Sequence, residues 1–387
     1  MDTKSGARER FSRAQRDILD LSHRIHADPE LGFEEERACA WLENLLADNG
    51  FAVTHAACDL PTAFVARAGS GPLHIGICAE YDALPGIGHA CGHNMIAAMA
   101  AGAAIAAAAV ADDAGLTVTV LGTPAEEVGD SSGKILMLER GAFDGLHAAM
   151  MVHPAPVEML EMHIIAASMF DVHYTGKPAH ASAFPELGIN AADALTVAQT
   201  SIGLLRQHLK QTDRVHGITT HGGDAPNVIP AQTSARYIVR AQNLEELRDV
   251  RAKVVRCFEA GAVATGATLE IRGGTKPYAD LQPDHGLSAI YKRNAESLGR
   301  TFPDLGVLGE RMAASTDMGN VSYALPTIHP MIGIDSMPAV NHQPEFAAHC
   351  VTEIADKAVI DGSLAMAWTA IDLAHDRATR DRLMMRR

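Results

Sequence analysis

This sequence lacks the features that would tie it to a nucleic acid, a membrane or an oxidising compartment. Basic residues are in deficit, 32 Lys and Arg against 47 Asp and Glu, for a net charge of −15. A polyanionic backbone is recognised by clustered Lys and Arg, so the deficit argues against nucleic acid as a partner. The six cysteines (Cys39, Cys58, Cys78, Cys91, Cys257 and Cys350) lie far apart with no Cys-x-x-Cys pair, and Met1 to Arg10 contain no apolar signal core. Both features fit a reducing, cytoplasmic setting. Long hydrophobic runs are missing too. The uncharged stretch Met95 to Ala111 is mostly Ala and Gly, too weakly apolar for a bilayer, and reads as a buried helix. No repeat or low-complexity segment is visible.

What is present is ample material for hydrophobic cores. Apolar residues make up 47% of 387 positions, and a chain of that length exceeds what one core normally organises, so two domains are expected. Residues 11–50 carry apolar positions at helical spacing, interrupted at Asp28-Pro29, and predict two helices. Three apolar runs follow, Leu73–Ala79, Leu116–Gly122 and Ala148–Val152, separated by helical stretches. Uninterrupted apolar strands alternating with helices predict an α/β domain, a mainly parallel sheet with helices on both faces. From about 167 to 277 the pattern becomes βαββαβ, the order of a ferredoxin-like α+β module. Helical and strand patterns resume afterwards, with a helix around Leu287 to Leu298, an apolar run Thr327 to Ile334 and a closing helix from Phe346 to about Leu373. The expected domains are 1–166 and 278–387 as two parts of one, with 167–277 inserted. The basic tail (Arg377, Arg380, Arg382, Arg386, Arg387) reads as a solvated helix end.

The residues after each apolar run carry the chemistry. The first run leads into Glu80, Asp82, His89, Cys91 and His93, the second into Glu126-Glu127, and the third into His153. Ligands of open α/β sheets bind beyond the carboxyl ends of the strands, so the three clusters converge on one edge. Cys91 and His93 precede a helix expected near Met95, whose positive end favours a thiolate, and thiolate with imidazole suits zinc. Of Glu126 and Glu127, one carboxylate could bind metal while its neighbour acts as general base. His153 is followed by Pro154, which should stop its ladder. His342 stands in a turn before the last helix and could return a distant ligand to the same edge. His89 reads as a loop-stabilising neighbour. In the inserted module, His180 and Asn227 are candidate oxyanion donors, and Arg236 and Arg240 share a strand face from which either could clamp a carboxylate.

Together these motifs resemble peptidase family M20, the aminoacylase and amidohydrolase metallopeptidases, and within it the branch of auxin-conjugate, aminobenzoyl-glutamate and dipeptide hydrolases. The resemblance runs from His26-Ala27-Asp28-Pro29-Glu30 to Asn341-His342-Gln343-Pro344 and rests on Tyr81-Asp82-Ala83-Leu84-Pro85, His89-Ala90-Cys91-Gly92-His93, Glu126-Glu127, His153 and Gly176-Lys177-Pro178-Ala179-His180. It implies two divalent metal ions, zinc favoured and manganese second, with Cys91, His93, Glu127, His153 and His342 as ligands. Glu126 is then the general base, Asp82 its supporting acid, and His180 and Asn227 hold substrate from a lid through which the chain dimerises. The implied reaction is hydrolysis of a small N-acyl amino acid, aminobenzoyl-glutamate-like conjugate or dipeptide, with metal-bound water as nucleophile. Asn94 and Glu80 stand where many relatives carry Asp, which points to the aminobenzoyl-glutamate and dipeptide side. Two competing readings are a metal-independent thiol hydrolase using Cys91 and a noncatalytic small-molecule-binding relative.

Overall fold

The apolar runs become neighbouring strands. In a computed structural model describing residues 2–306, 309 and 312–385, Leu73–Ala79 lies between Leu116–Gly122 and Ala148–Met150 and runs parallel to both. Thr327–Ile328 continues the sheet in parallel. All seven residues of Leu116–Gly122 are buried, as a strand covered on both faces requires. The other edge is an antiparallel hairpin that the pattern did not announce, Ala52–His55 paired with Phe64–Gly69, which pairs in turn with Leu116–Gly122. Ala52–His55 is short and mostly exposed, so it carries no apolar run.

The chain divides into two compact units, Met1–Val128 with Ser132–His163 and Leu281–Arg387, and Gly129–Ser131 with Ile164–Asp280. In the first, two expectations are corrected. Pro154 does not end a ladder, because His153–Ala155 pairs in parallel with Met331–Gly333. That pairing uses the His153 amide, bonded to the Pro330 carbonyl, and the Ala155 carbonyl, bonded to the Ile334 amide. The amide that proline lacks is therefore not needed. The closing helix is likewise two, Pro344–His349 and Glu353–His375, and the Thr352 side chain caps the second by accepting from the Ala355 amide. Of the basic tail, Arg386 and Arg387 lie outside the described residues; Arg382 in helix Arg377–Met385 pairs with Asp284 at 2.6 Å.

Helix His93–Ala108 is buried along nearly its whole length and packs against Thr3–Ala27 and Glu353–His375. Its alanines and glycine permit that approach, since a Cβ on Gly102 would lie 2.5 Å from Ser363 Oγ and 3.0 Å from the Phe11 ring. Among the described residues no helix is long and apolar enough to cross a membrane.

The second unit runs Ala166–Thr175, helix Ala191–Leu205, Arg214–His221, Gln232–Ala241, helix Leu244–Thr265 and Thr268–Gly273. Its strands lie side by side as Thr268–Gly273, Ala166–Thr175, Gln232–Ala241 and Arg214–His221, with every neighbouring pair antiparallel. This is the ferredoxin-like arrangement expected from the element order. Phe170, Tyr237 and Phe258 meet in its core, the last two edge to face at 5.0 Å between centroids.

The Gly102 contact yields a stability prediction. Gly102→Val overfills the helix crossing and lowers unfolding stability by about 2–3 kcal/mol. A denaturant midpoint equal to that of the parent would contradict this packing.

Candidate metal centre

The site is assembled at the carboxyl ends of the central strands of the first unit. Asp82, just past strand Leu73–Ala79, is its mechanical centre. Its Oδ1 accepts from His93 Nδ1 at 2.9 Å and its Oδ2 accepts from the Glu127 amide at 2.9 Å. The first bond fixes the tautomer and turns His93 Nε2 toward the site. Glu127 sits on a turn pinned from elsewhere, because Glu35 Oε1 accepts from the Ala125 amide at 2.7 Å and Ala125 holds φ +58°. Helix His93–Ala108 begins at His93 itself, two residues earlier than expected, after Gly92 at φ +78°. A Cβ on Gly92 would lie 2.4 Å from Pro154 Cγ, so the Cys-Gly-His spacing needs glycine for room as well as for its dihedral.

His153 bonds through Nδ1 to the Pro154 carbonyl at 2.8 Å, which leaves Nε2 facing Cys91 Sγ at 3.5 Å. His342 is fastened by its backbone, the amide donating to the Ala90 carbonyl at 2.8 Å, and its Nε2 stands 3.4 Å from Glu127 Oε1. The five candidate ligands thus form two overlapping trios, Cys91–His93–His153 and Cys91–Glu127–His342, with all donor atoms of a trio within 4.8 Å. A third trio is Glu80–His93–Glu126.

These spacings suit cations. Two ligands held about 2.0–2.3 Å from one tetrahedral ion stand roughly 3.3–3.8 Å apart. The Cys91–His153 and Glu127–His342 separations fall in that window, and the second is longer than a hydrogen bond between charged nitrogen and oxygen. By contrast, the trio Cys39–Glu43–His55 has His55 Nδ1 only 2.9 Å from Glu43 Oε1, an ordinary hydrogen bond. Among the described residues, His93 Nε2 and Glu127 Oε1 are buried without a hydrogen-bond partner, which is costly unless something positive is held there.

The charge balance points the same way. Glu80, Asp82, Glu126 and Asp317 are buried, and Lys134 is the only lysine or arginine among the described buried residues. Burial, then Glu80 and Glu127, push the Glu126 carboxyl well above the usual range. Burial and Glu127 likewise push the Cys91 thiol up. For His93, burial opposes the charged form, but the Asp82 carboxylate and its hydrogen bond outweigh it and the pKa rises well above normal. Burial takes His153 down to about 4, so its imidazole is neutral across physiological pH.

The remaining candidates belong to none of these trios. His89 is buried, and that burial holds its pKa down to about 3. In the second unit, His180 pairs across a bridge with Val228, and the Asn227 carbonyl accepts from the Ala181 amide at 3.0 Å, so those two segments lie together. Arg240 is at the opposite end of that sheet, paired with Ala167 where Gln232 pairs with Thr175. Eight residues of strand separate the two ends, about 27 Å. Arg236 is engaged with Asp171 at 2.7 Å.

Several residues escaped the sequence reading. Lys134 was hidden because a lone lysine in a short helix normally faces water. His329 lies inside an apolar run, a visible signal, and is fully enclosed with its ring 5.5 Å from that of His153.

Known proteins resemble this chain along most of its length. Residues 76–359 match Peptidase family M20/M25/M40. The chain is 38% identical to the Xaa-Arg dipeptidase of Mus musculus over 386 residues, 96% of this chain and 88% of that one. It is 29% identical to a p-aminobenzoyl-glutamate hydrolase chain of Escherichia coli (strain K12), covering 92% of this chain and 89% of that one. Among solved structures, an aminobenzoyl-glutamate utilization protein from Klebsiella pneumoniae superposes with a TM-score of 0.73 at 18% identity, covering 95% of this chain and 98% of that one. A dinuclear metal binding peptidase of the M20 family from Bacillus subtilis superposes at 0.67 and 20% identity, covering 94% and 99%. These two share the fold. The fold and the family match define a hydrolase acting on amide or peptide bonds. The chain belongs to peptidase family M20/M25/M40.

The raised pKa values of Cys91 and His93 set the sign of a pH dependence. Both groups hold a proton at pH 7 in the metal-free protein and must surrender it to act as ligands. Loading zinc at pH 7 is expected to release at least two protons, one each from Cys91 and His93, with Glu126 a further source, and affinity is expected to rise with pH. Calorimetry in two buffers of different ionisation enthalpy reads the number directly, and release of no proton would contradict the assignment.

Proposed function

We propose that this chain is a metal-dependent dipeptidase or amidohydrolase of small substrates, with a two-ion centre held by Cys91, His93, Glu127, His153 and His342. The observation that carries the reading is the pair of donor trios sharing Cys91. The peptidase of Bacillus subtilis described as dinuclear supports the number of ions, and the thiolate favours zinc over manganese.

When bound, the ions would supply Lewis acidity and a water nucleophilic at neutral pH. The chain's own residues do the rest. Asp82 keeps His93 Nε2 and the Glu127 turn in place. Glu126 takes a proton from the attacking water and returns it to the leaving amine nitrogen. Cations bound beside Glu126 would counter the burial and the neighbouring carboxylates that raise its pKa, allowing it to act as a base. His180 and Asn227 are the residues proposed to hold substrate or the oxyanion, carried by the unit Ile164–Asp280 acting as a lid.

The Xaa-Arg dipeptidases at 38% identity favour a dipeptide with a basic carboxyl-terminal residue as the first substrate to try, and the net charge of −15 suits a cationic one. Aminobenzoyl-glutamate and N-acyl amino acids follow. A cytoplasmic site of action is supported by six free cysteines. A dimer through the second unit is proposed on its edge strands, Thr268–Gly273 and Arg214–His221. The thiol-hydrolase alternative is disfavoured by the direction of the Cys91 shift, since a nucleophilic cysteine needs a lowered pKa.

The test is paired. Chelation should abolish hydrolysis and added zinc restore it, while Glu126→Gln should cost about 10²- to 10⁴-fold in kcat with metal content unchanged. Full turnover by verified metal-free protein would sink the proposal.

A further inference from the structure

Glu80 is a buried carboxylate outside the five-ligand set and not used by the proposed mechanism. One oxygen, Oε1, is ion-paired with Lys134 Nζ. Lys134 is itself held by Asp317, whose Oδ1 accepts from Nζ at 2.6 Å and whose Oδ2 accepts from the Lys134 amide at 3.2 Å. Asp317 thus grips the lysine at both ends of its side chain, and the lysine fixes where Glu80 points. All three side chains are buried.

The other oxygen, Oε2, has no hydrogen-bond partner among the described residues. It lies 3.4 Å from His93 Nε2, the ring nitrogen that Asp82 turns into the site and that has no hydrogen-bond partner of its own. A charged hydrogen bond between these atoms would be about 2.7–2.9 Å long. The observed spacing is that of two ligands on one ion, as in the Glu127–His342 pair. A purely structural ion pair does not require a second carboxylate oxygen to be enclosed without a hydrogen bond beside an imidazole nitrogen that also lacks one.

We propose that Glu80 is a further metal-facing donor of this centre, its Oε2 acting beside His93 Nε2, and that Lys134 is the positioning residue that keeps it there. The inference rests on the metal-centre reading and deepens it. Glu80 also falls within 4.8 Å of the nearest Glu126 oxygen in the trio with His93, so the same carboxylate ties an ion at His93 to the neighbourhood of the proposed base.

Zinc affinity of the metal-free full-length protein, measured by competition with a chromophoric chelator alongside its melting temperature, tests this. The parent should bind two ions. Glu80→Gln keeps the side-chain size and an acceptor for Lys134, and should weaken one of the two zinc affinities 10- to 100-fold. Lys134→Met should weaken the same one, and Lys134→Arg should recover part of the loss. Should Glu80→Gln fail to fold, Glu80→Asp, which keeps the charge but withdraws Oε2 by one methylene, is read by the same criterion. Two parent-like affinities in the folded variant, whatever its melting temperature, would overturn the role of Glu80. A parent that does not bind two ions would instead overturn the metal-centre reading.

Discussion

The Asp82 carboxylate is the constraint on which the site depends. With one oxygen it fixes the rotation and tautomer of His93, and with the other it anchors the backbone of Glu127. These two candidate ligands come from different strand ends, so without Asp82 their relative position would be set by two loops alone. The carboxylate is itself buried, and its pKa stays below the usual value because His93 and the hydrogen bonds overcome burial. It therefore remains ionised, as an acceptor of two bonds must.

Around that pivot, the parallel sheet does what its topology requires. Strands Leu73–Ala79, Leu116–Gly122 and Ala148–Met150 run the same way, so the segments that follow them emerge at one edge. His342 reaches that edge by a backbone bond to Ala90 rather than from a strand, and its left-handed φ of +68° is sustained by the turn around it. Buried acids gather at this edge beside one enclosed lysine, and the raised pKa values of Glu126 and His93 mean that protons complete the balance; divalent cations beside His93, Cys91 and Glu127 would displace those protons.

Much of this was legible in the sequence, for identifiable reasons. Leu116–Gly122 is apolar throughout because both its faces are covered, and the clusters after each run could be joined by the rule that strand ends share an edge. The parts that stayed hidden depend on contacts without local pattern. The hairpin strand Ala52–His55 is mostly exposed and leaves no periodic trace. Lys134 meets Asp317 across 183 residues of sequence, and nothing near either residue announces a buried ion pair. The pairing of His153–Ala155 with Met331–Gly333 was masked by Pro154, whose missing amide happens to point where no bond is needed. Arg240 illustrates the converse. Even spacing put it on a strand face, but only the register revealed that it stands at the far end from His180 and Asn227.

The five donors would hold two cations, with Cys91 within reach of both. Anomalous diffraction from crystals of the zinc-loaded protein, collected above and below the zinc edge, tests it most directly. Two peaks per chain are expected, at least one of them about 2.3 Å from Cys91 Sγ, with His93 and His153 beside one and Glu127 and His342 beside the other. A single peak, or peaks that leave Cys91 unligated, would contradict it.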